Sequence, residues 1–500
     1  MRKEKRLSIE RIGVRQFNLR LIFRLVGVLM LYLCVGMVLP IAVSLYSRDG
    51  AQFALVLSTV GILTAGLFFR NILGKNPTYD LKENESYWVT TVTWLSVPLI
   101  GALPYIFTGA VNNFTDAVFE SFSGFTTTGS SVLAHPEELP KGLLVYRAFT
   151  QWVGGLGLML FVVAILRRLT LGAEQIYEAE FSGTQQRKLH PRLAKSVTRM
   201  WAIYSLLTLA MIVLLIISGT PVVDAICLAF STVSTGGFVT NSAGLSILPH
   251  GTLIIVTIFM LLSGINVARL YRLFTLKLKH WSRDEELRTY FVIFIVSVAA
   301  CTLSFISAGE GSRSALCYSV VHIASTISTC GFYMARPEHW SFLVSVITFL
   351  IIIVGASAGS TSGGIKLRRI IILFKYIRNY FTRMMHPNAV FRVKINNEVV
   401  QPDYINKVFA YVFLYIAFIL GGAFVLTLCR CSIPDAICMA AANISNLGPS
   451  PLINNLGGSL DYALLPSVGK WALTILMLAG RLELFALIAV FSPAYWRRGT

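Results

Sequence analysis

Apolar runs of about 20 residues recur along the chain, and each is long enough to cross the hydrocarbon core of a bilayer as a helix. They lie at Leu21–Leu45, Gln52–Phe69, Tyr87–Phe107, Ala148–Leu166, Met200–Ser218, Leu253–Ala268, Tyr290–Ala308, Phe342–Ile365, Val408–Leu428 and Ser467–Phe491. A short link, Tyr46–Ala51, joins the first two. From the third onward the rhythm changes. Each outgoing run is followed by roughly 30 residues or more of weaker hydropathy before a returning run begins. The pattern predicts an all-α polytopic membrane protein of about ten transmembrane helices, two standing apart at the N-terminus and the rest grouped in pairs.

The weaker segments align without gaps on a glycine. They read Asp116-Ala-Val-Phe-Glu-Ser-Phe-Ser-Gly-Phe-Thr-Thr-Thr-Gly129, Asp224-Ala-Ile-Cys-Leu-Ala-Phe-Ser-Thr-Val-Ser-Thr-Gly-Gly237, Tyr318-Ser-Val-Val-His-Ile-Ala-Ser-Thr-Ile-Ser-Thr-Cys-Gly331 and Asp435-Ala-Ile-Cys-Met-Ala-Ala-Ala-Asn-Ile-Ser-Asn-Leu-Gly448. Such internal similarity marks a repeat architecture. Asp116, Asp224 and Asp435 suit helix N-caps. The apolar stretch after each is too short to span, and the Ser/Thr/Gly stretch after that is expected to be extended. A short helix that enters the membrane and ends in irregular backbone is tolerable only where protein or water covers it. Four around one axis would supply that cover. Their C-termini would carry partial negative charge toward the centre, and glycine would free consecutive carbonyls to face it. That is the physics of a cation selectivity filter. Small residues also favour plain helix–helix packing in membranes, which is the competing explanation.

Charge sharpens the topology. The formal net charge is +19, with only 13% charged residues. The basic residues sit between apolar runs, from Arg2 to Arg20, Arg167 to Arg199, Arg269 to Lys279 and Lys366 to Arg383, then at Arg497 and Arg498. Placing all of them in the cytoplasm fits one threading, as the positive-inside rule requires, with both termini cytoplasmic and Trp496 as an anchor. The basicity therefore reads as topology, and no nucleic-acid partner is expected; the partner implied by the apolar runs is membrane lipid. The eight cysteines show no metal-ligand spacing. Cys429 and Cys431 are poorly placed for a disulfide. No nucleophile–base pair is evident, so the chain does not read as an enzyme.

Two further features fall inside apolar runs. Arg481 stands near the middle of the last one, where a charge is costly, so it needs a cavity or a partner. Glu483 or a carbonyl could supply that partner structurally. The returning run of the third repeat carries Gly355-Ala-Ser-Ala-Gly-Ser-Thr-Ser-Gly-Gly364 before Ile365 and Lys366. So many glycines disfavour a helix. The order of residues is wrong for a phosphate loop, which leaves a packing kink or an irregular segment in a water-filled pore, with few apolar contacts and many conformations. Of the four returning helices, this is the one expected to break. Glu120 could brace the filter or raise the local cation concentration. His322 reads as a hydrogen-bonded structural residue.

These residues resemble the Trk/Ktr/HKT superfamily of potassium transporters, most closely its bacterial TrkH branch. The resemblance rests on Phe125-Thr-Thr-Thr-Gly129, Gln151-Trp-Val-Gly-Gly155, Ser234-Thr-Gly-Gly-Phe238, Gly355–Lys366 and Gly480-Arg-Leu-Glu483, together with the two extra N-terminal helices. It implies residues 1–80 as a cytoplasmic N-terminus with two extra helices, then pore repeats over 81–170, 195–282, 285–385 and 400–500. Potassium, as substrate, would bind a filter of Thr127, Thr128, Gly129, Thr235, Gly236, Gly237, Thr329, Cys330, Gly331, Asn446, Leu447 and Gly448. A gate below it would comprise Gly355, Gly359, Ser360, Thr361, Ser362, Gly363, Gly364 and Lys366, with Arg481 impeding idle flow. In the superfamily a serine at the first filter glycine goes with sodium selectivity, so Gly129 favours potassium. Asn446-Leu447-Gly448-Pro449 and Cys330 depart from a threonine-rich pattern, and an asymmetric filter is expected to be less selective. The resemblance further implies a homodimer in the bacterial inner membrane, no covalent cofactor, and a cytosolic TrkA-like regulatory ring that alone binds nucleotide. The alternatives are a sodium-permeable or ion-coupled member of the superfamily or, in another class, a polytopic receptor.

Overall fold

The computed structural model describes residues 19–75, 83–157, 193–274, 284–334, 341–386, 388, 391–448, 462–484 and 487–488. The basic N-terminus, the inner end of the fourth expected span, Arg167, Arg168, Arg187, Lys188, Arg192, Lys277, Lys279, Pro449 and the C-terminal Trp496, Arg497 and Arg498 lie outside the described residues.

Apolar sequence in a bilayer must satisfy its own backbone, and it does so here as helix. Helices α1 (Leu19–Gly36) and α2 (Val38–Ser47) form one outgoing span. Its only proline, Pro40, lies in the first turn of α2, where a missing N–H does little harm. Helix α3 (Gln52–Phe68) returns and ends in a π-helical turn, Phe69–Leu73.

The rest of the chain repeats one plan. The first repeat has α4 (Glu83–Ile100) with α5 (Leu103–Phe107), then α6 (Phe114–Phe125), then α7 (Lys141–Gly155). The second has α8 (Leu193–Ile217), α9 (Val222–Val233), α10 (His250–Ser263) and α11 (Val267–Phe274). The third has α12 (Glu285–Ser307), α13 (Ser312–Ile327), α14 (Phe342–Val354) and α15 (Leu367–Met385). A small antiparallel hairpin, Lys394–Ile395 with Glu398–Val399, leads to the fourth, α16 (Pro402–Leu428), α17 (Ile433–Ile444) and α18 (Ser467–Arg481).

Among the described residues six spans are long and apolar enough to cross a membrane, at 19–47, 52–73, 87–107, 197–217, 285–307 and 402–428. The four return helices run only 13 to 15 residues, about 20–22 Å at the α-helical rise. Lipid explains the outer surface. Along α16, Tyr411, Tyr415 and Ile419 are buried, while Phe413, Leu420, Phe424 and Leu428 are exposed. In water that apolar face would be a liability; against acyl chains it costs nothing.

Each return helix packs on the short helix of the following repeat: α7 on α9, α10 on α13, α14 on α17 and α18 back on α6. The repeats therefore close into a ring. An ion pair supports the closing joint, with Lys470 Nζ on α18 at 2.6 Å from Asp116 Oδ1 on α6.

Candidate cation pore

The short helices α6, α9, α13 and α17 are buried along most of their length. Asp116, Asp224 and Asp435 do not cap them. The caps are Asn113, Pro221 and Ser432, and each aspartate sits three residues later, in the first turn. A carboxylate there still favours the positive helix end. At α17 the Ser432 hydroxyl accepts from the Asp435 N–H while donating to its carboxylate. The third helix starts earlier, at Ser312, which is why it has no aspartate in register.

All four helices end in the same turn. The N–H groups of Thr128, Gly236, Cys330 and Leu447 donate to the carbonyls of Ser123, Ser231, Ser325 and Ala442 at 2.8–2.9 Å. One residue earlier, Thr127, Thr235, Thr329 and Asn446 donate to Gly124, Thr232, Thr326 and Asn443 at 3.0–3.2 Å. This pair of bonds is the Schellman motif, whose penultimate residue must be left-handed. Thr127, Thr235, Thr329 and Asn446 have φ of 55°, 59°, 60° and 48°. Glycine or asparagine normally fills that position, and a β-branched threonine there is strained. Strain of this kind persists only where the surroundings enforce it, typically at functional sites. The expected extended stretch therefore opens with a left-handed turn.

The strands that follow meet each other. A Cβ added to Gly129 would overlap the Gly236 carbonyl oxygen, and one on Gly237 would overlap that of Cys330. One on Gly331 would lie 2.7 Å from Gly448 N, and one on Gly448 would lie 2.9 Å from Thr128 O. Contact thus passes from repeat to repeat and returns to the first. The twelve residues from Thr127 to Gly448 named above form this ring, all buried. Gly129, Gly237 and Gly331 share φ near 80° (83°, 78° and 80°), whereas Gly448 does not adopt that conformation.

Side chains hold the ring from behind. Asn446 Nδ2 donates to Thr128 Oγ1 at 3.1 Å and to Met477 O at 2.9 Å. Glu120 receives Arg147 Nε at 2.9 Å, the Val132 N–H at 3.1 Å and the Ser131 hydroxyl at 2.9 Å. Arg147 also stacks 4.1 Å above the Phe238 ring. Glu120 braces the backbone just after the first segment and pairs with Arg147, a partner that the sequence reading does not name. Gln151 stood in a quoted motif, and the polar Arg147 in a run bordered by apolar residues could have flagged a partner. His322 Nε2 lies 2.8 Å from Thr348 Oγ1, a hydrogen-bonded structural role.

Below the ring, all four return helices stop at one level. They end at Gly155, Ser263, Val354 and Arg481. The third was expected to break alone; small residues at the other ends, and the left-handed Glu483 and Leu484 after Arg481, break the rest. The fourth expected span likewise begins at Lys141 rather than Ala148, because Glu120 neutralises Arg147 inside the protein.

Gly355–Lys366 is irregular, as its glycines require, but it is not loosely held. Apart from half-buried Gly359 every residue is buried. The Gly363 N–H donates to Thr329 Oγ1 at 2.9 Å, and a Cβ on Gly363 would overlap the Ser445 carbonyl. Thr361 Oγ1 lies 3.4 Å from both Val233 O and Ser263 O. Ser360 bonds Ser362 at 2.7 Å, and Lys366 Nζ donates to the Ser362 carbonyl. Arg481 donates to Thr361 O at 2.9 Å, to Gly155 O at 2.5 Å and to Gly154 O. The Glu483 carboxylate meets Arg369, whose guanidinium lies 3.9 Å above Tyr411. Ser360, Ser362, Lys366, Asn446, Arg481 and Glu483 face a common small cavity of about 40 Å³. Two cationic side chains, Lys366 and Arg481, and one carboxylate, Glu483, line its wall.

Residues 59–498 match the family model TrkH, described as a cation transport protein. The chain belongs to the TrkH cation transport family. TrkH relatives match nearly all of it. The Trk system potassium uptake protein TrkH of Salmonella typhimurium is 35% identical, over 96% of this chain and 100% of that one. The Escherichia coli K12 protein of the same name is 34% identical with the same coverage. The crystal structure of the potassium transporter TrkH from Vibrio parahaemolyticus superposes with a TM-score of 0.85 at 28% identity, covering 96% of this chain and 99% of that one. TrkH proteins are transporters, so the chain is a multi-pass membrane transport protein and not an enzyme.

Proposed function

We propose that this chain takes up potassium across the bacterial inner membrane through the ring of four turns, with Thr127–Gly129, Thr235–Gly237, Thr329–Gly331 and Asn446–Gly448 as the filter. The observation that carries the reading is ring closure: four left-handed turns, identical in their hydrogen bonds, each touch the next around one centre. Backbone carbonyls held in that way replace the hydration shell of a monovalent cation. The names of the relatives supply the ion.

Gly355–Lys366 acts as the gate in this reading, lying against the underside of three turns, while Arg481 and Lys366 repel cations from the cavity beneath. The basic face of α15 lies in the cytoplasm, as do both termini. The chain works as a homodimer whose gate is moved by a cytosolic TrkA-like nucleotide-binding ring. A sodium-permeable pore is the second reading, and the departure of Gly448 from the conformation of its three counterparts favours it. Rescue of a potassium-uptake-deficient bacterium at low external potassium tests the function. Rubidium uptake into proteoliposomes against competing sodium separates the two ions. Gly237→Ser should lower the discrimination sharply, because its Cβ collides with the Cys330 carbonyl at a φ that favours glycine. A folded Gly237→Ser that discriminates like the wild type would remove Gly237 from the filter.

A further inference from the structure

The middle residue of each filter strand shows what anchors that strand from behind. In three strands it carries a buried side chain: Thr128, Cys330 and Leu447. Thr128 Oγ1 bonds Thr126 Oγ1 at 2.8 Å and accepts from Asn446. Cys330 Sγ lies 3.6 Å from Thr232 O, and Leu447 packs in the apolar core. The second strand has Gly236 there, followed by Gly237. Two consecutive glycines make it the least constrained backbone of the four.

The space that a side chain at 236 would fill is occupied from another repeat. A Cβ on Gly236 would overlap the side-chain amide of Gln151, which projects from α7 and is fully buried. Gln151 Nε2 donates to the Gly236 carbonyl at 2.7 Å, and its Oε1 accepts from the Phe238 N–H at 3.3 Å. One amide therefore spans the backbone on both sides of Gly237. Four residues earlier on the same helix face, Arg147 holds the Phe238 ring.

We infer that Gln151 is a positioning residue for selectivity: it serves in trans as the missing side chain of the second strand and fixes the Gly236 carbonyl. The inference rests on the filter reading above. A carbonyl tied by a hydrogen bond to a buried amide cannot swing to meet a smaller ion, so releasing it relaxes the discrimination that strand contributes. Because Gly236 does not have a positive φ, a side chain is permitted there once the amide is gone.

The test is a swap. Rubidium uptake against sodium is measured in proteoliposomes for Gln151→Ala, Gly236→Ala and the double variant, alongside Gly237→Ser and the melting temperature of each. Gln151→Ala should lower discrimination about tenfold, the equivalent of one hydrogen bond, and Gly236→Ala should lower it by displacing the amide. The double variant should be no worse than Gln151→Ala alone, since with the amide gone the alanine methyl displaces nothing. If Gln151→Ala does not fold, Gln151→Met keeps the volume without the amide and carries the same prediction. A merely structural glutamine predicts lower melting temperature with discrimination intact, or a double variant worse than either single, and both outcomes overturn the inference. Loss of discrimination in Gly237→Ser beside an unaltered Gln151→Ala would sink the clamp alone. A wild-type chain that does not discriminate would sink the filter reading itself.

Discussion

The return helices of the second and third repeats break at the same level, yet one break lasts three residues and the other twelve. After Ser263 the chain passes Gly264 and Ile265, and Asn266 caps the next helix, its Oδ1 accepting from Ala268 N at 2.8 Å and Arg269 N at 3.3 Å. After Val354 no such cap follows; Lys366, the residue just before α15, has φ 77° and makes no side-chain cap. The longer segment instead bonds to the shorter. The Ser357 N–H donates to Gly264 O and the Val267 N–H to Gly359 O, each at 3.2 Å, while Asn266 Nδ2 donates to Ala358 O at 2.5 Å. A helix break that carries its own cap closes locally. One without a cap must borrow partners from neighbouring elements, and borrowed partners can be exchanged. That difference fits the gate role proposed for the third-repeat segment.

Removing the segment that borrows should have the largest effect. Deleting Gly359–Gly363 takes away the contacts to Thr329 and Ser445 and the partner of Arg481. Basal flux into proteoliposomes should rise by about tenfold or more, the change expected if a few kcal/mol holds the closed state, and it should no longer respond to the cytosolic partner. A break that only packs helices predicts a poorly folded protein with little flux. A normally folded and normally regulated deletion would end the gate proposal.

Next in size is Arg481→Ala. The guanidinium joins the segment to the ends of α7 through Thr361, Gly154 and Gly155, and it places a positive charge on the cavity wall. Its loss should raise basal flux several-fold in protein of normal yield. Reduced flux with normal folding would contradict a barrier role.

A smaller change is expected where the two breaks share an anchor. Glu286, buried at the start of α12, accepts the Ala358 N–H at 2.7 Å and pairs with Arg269 of α11 at 2.7 Å. Glu286→Gln keeps an oxygen for Ala358, now a neutral acceptor of roughly half the strength, but turns an amide NH2 toward the Arg269 guanidinium, so that pair is lost. Basal flux should rise about two- to threefold with a melting temperature lower by a few degrees. Equal flux in mutant and wild type would show that this anchor does not bias the gate.

Much of this was legible before any coordinates. The four-segment repeat was readable because the same helix and turn recur with the glycine at one spacing. The break at Gly355–Gly364 was readable because glycine opposes helix. The breaks after Ser263 and Arg481 were hidden: one small residue pair or one positive-φ turn leaves no mark on a hydropathy pattern. The left-handed threonines were hidden for a stronger reason. Composition favours glycine or asparagine at that position, and only the ring around Thr127, Thr235 and Thr329 makes them adopt it. The aspartates were placed as caps because aspartate is a good cap; Pro221 and Asn113 fixed the helix starts one position set earlier. Arg147 and Glu120, 27 residues apart, are brought together by packing alone.

The smallest effect belongs to the rim beyond the ring, where the loops after the first and second filter strands meet. Glu137 accepts from the Ser242 N–H at 2.8 Å and its hydroxyl at 2.7 Å, with His135 Nδ1 at 3.4 Å. The Tyr333 hydroxyl in the third repeat donates to Ser242 O at 2.5 Å, so Ser242 joins three loops. The Ser242 bonds, and then that from His135, pull the Glu137 carboxyl down to about 2. A carboxylate lowered on folding stabilises the native state fully above its unfolded value, and that contribution fades as pH falls through the ordinary carboxylate range toward about 2. The side chain is about one-third exposed (34%), so water and salt weaken the contribution. Wild-type protein should therefore lose about a degree or two more of melting temperature than Glu137→Gln when pH is lowered from 5 to 3. Ion discrimination should be equal in the two, because Gln151 and Asn446 hold the strands from behind, away from the rim. Parallel melting curves across that pH range would show that the loops are joined by packing, and a change in discrimination would tie the rim to the filter after all.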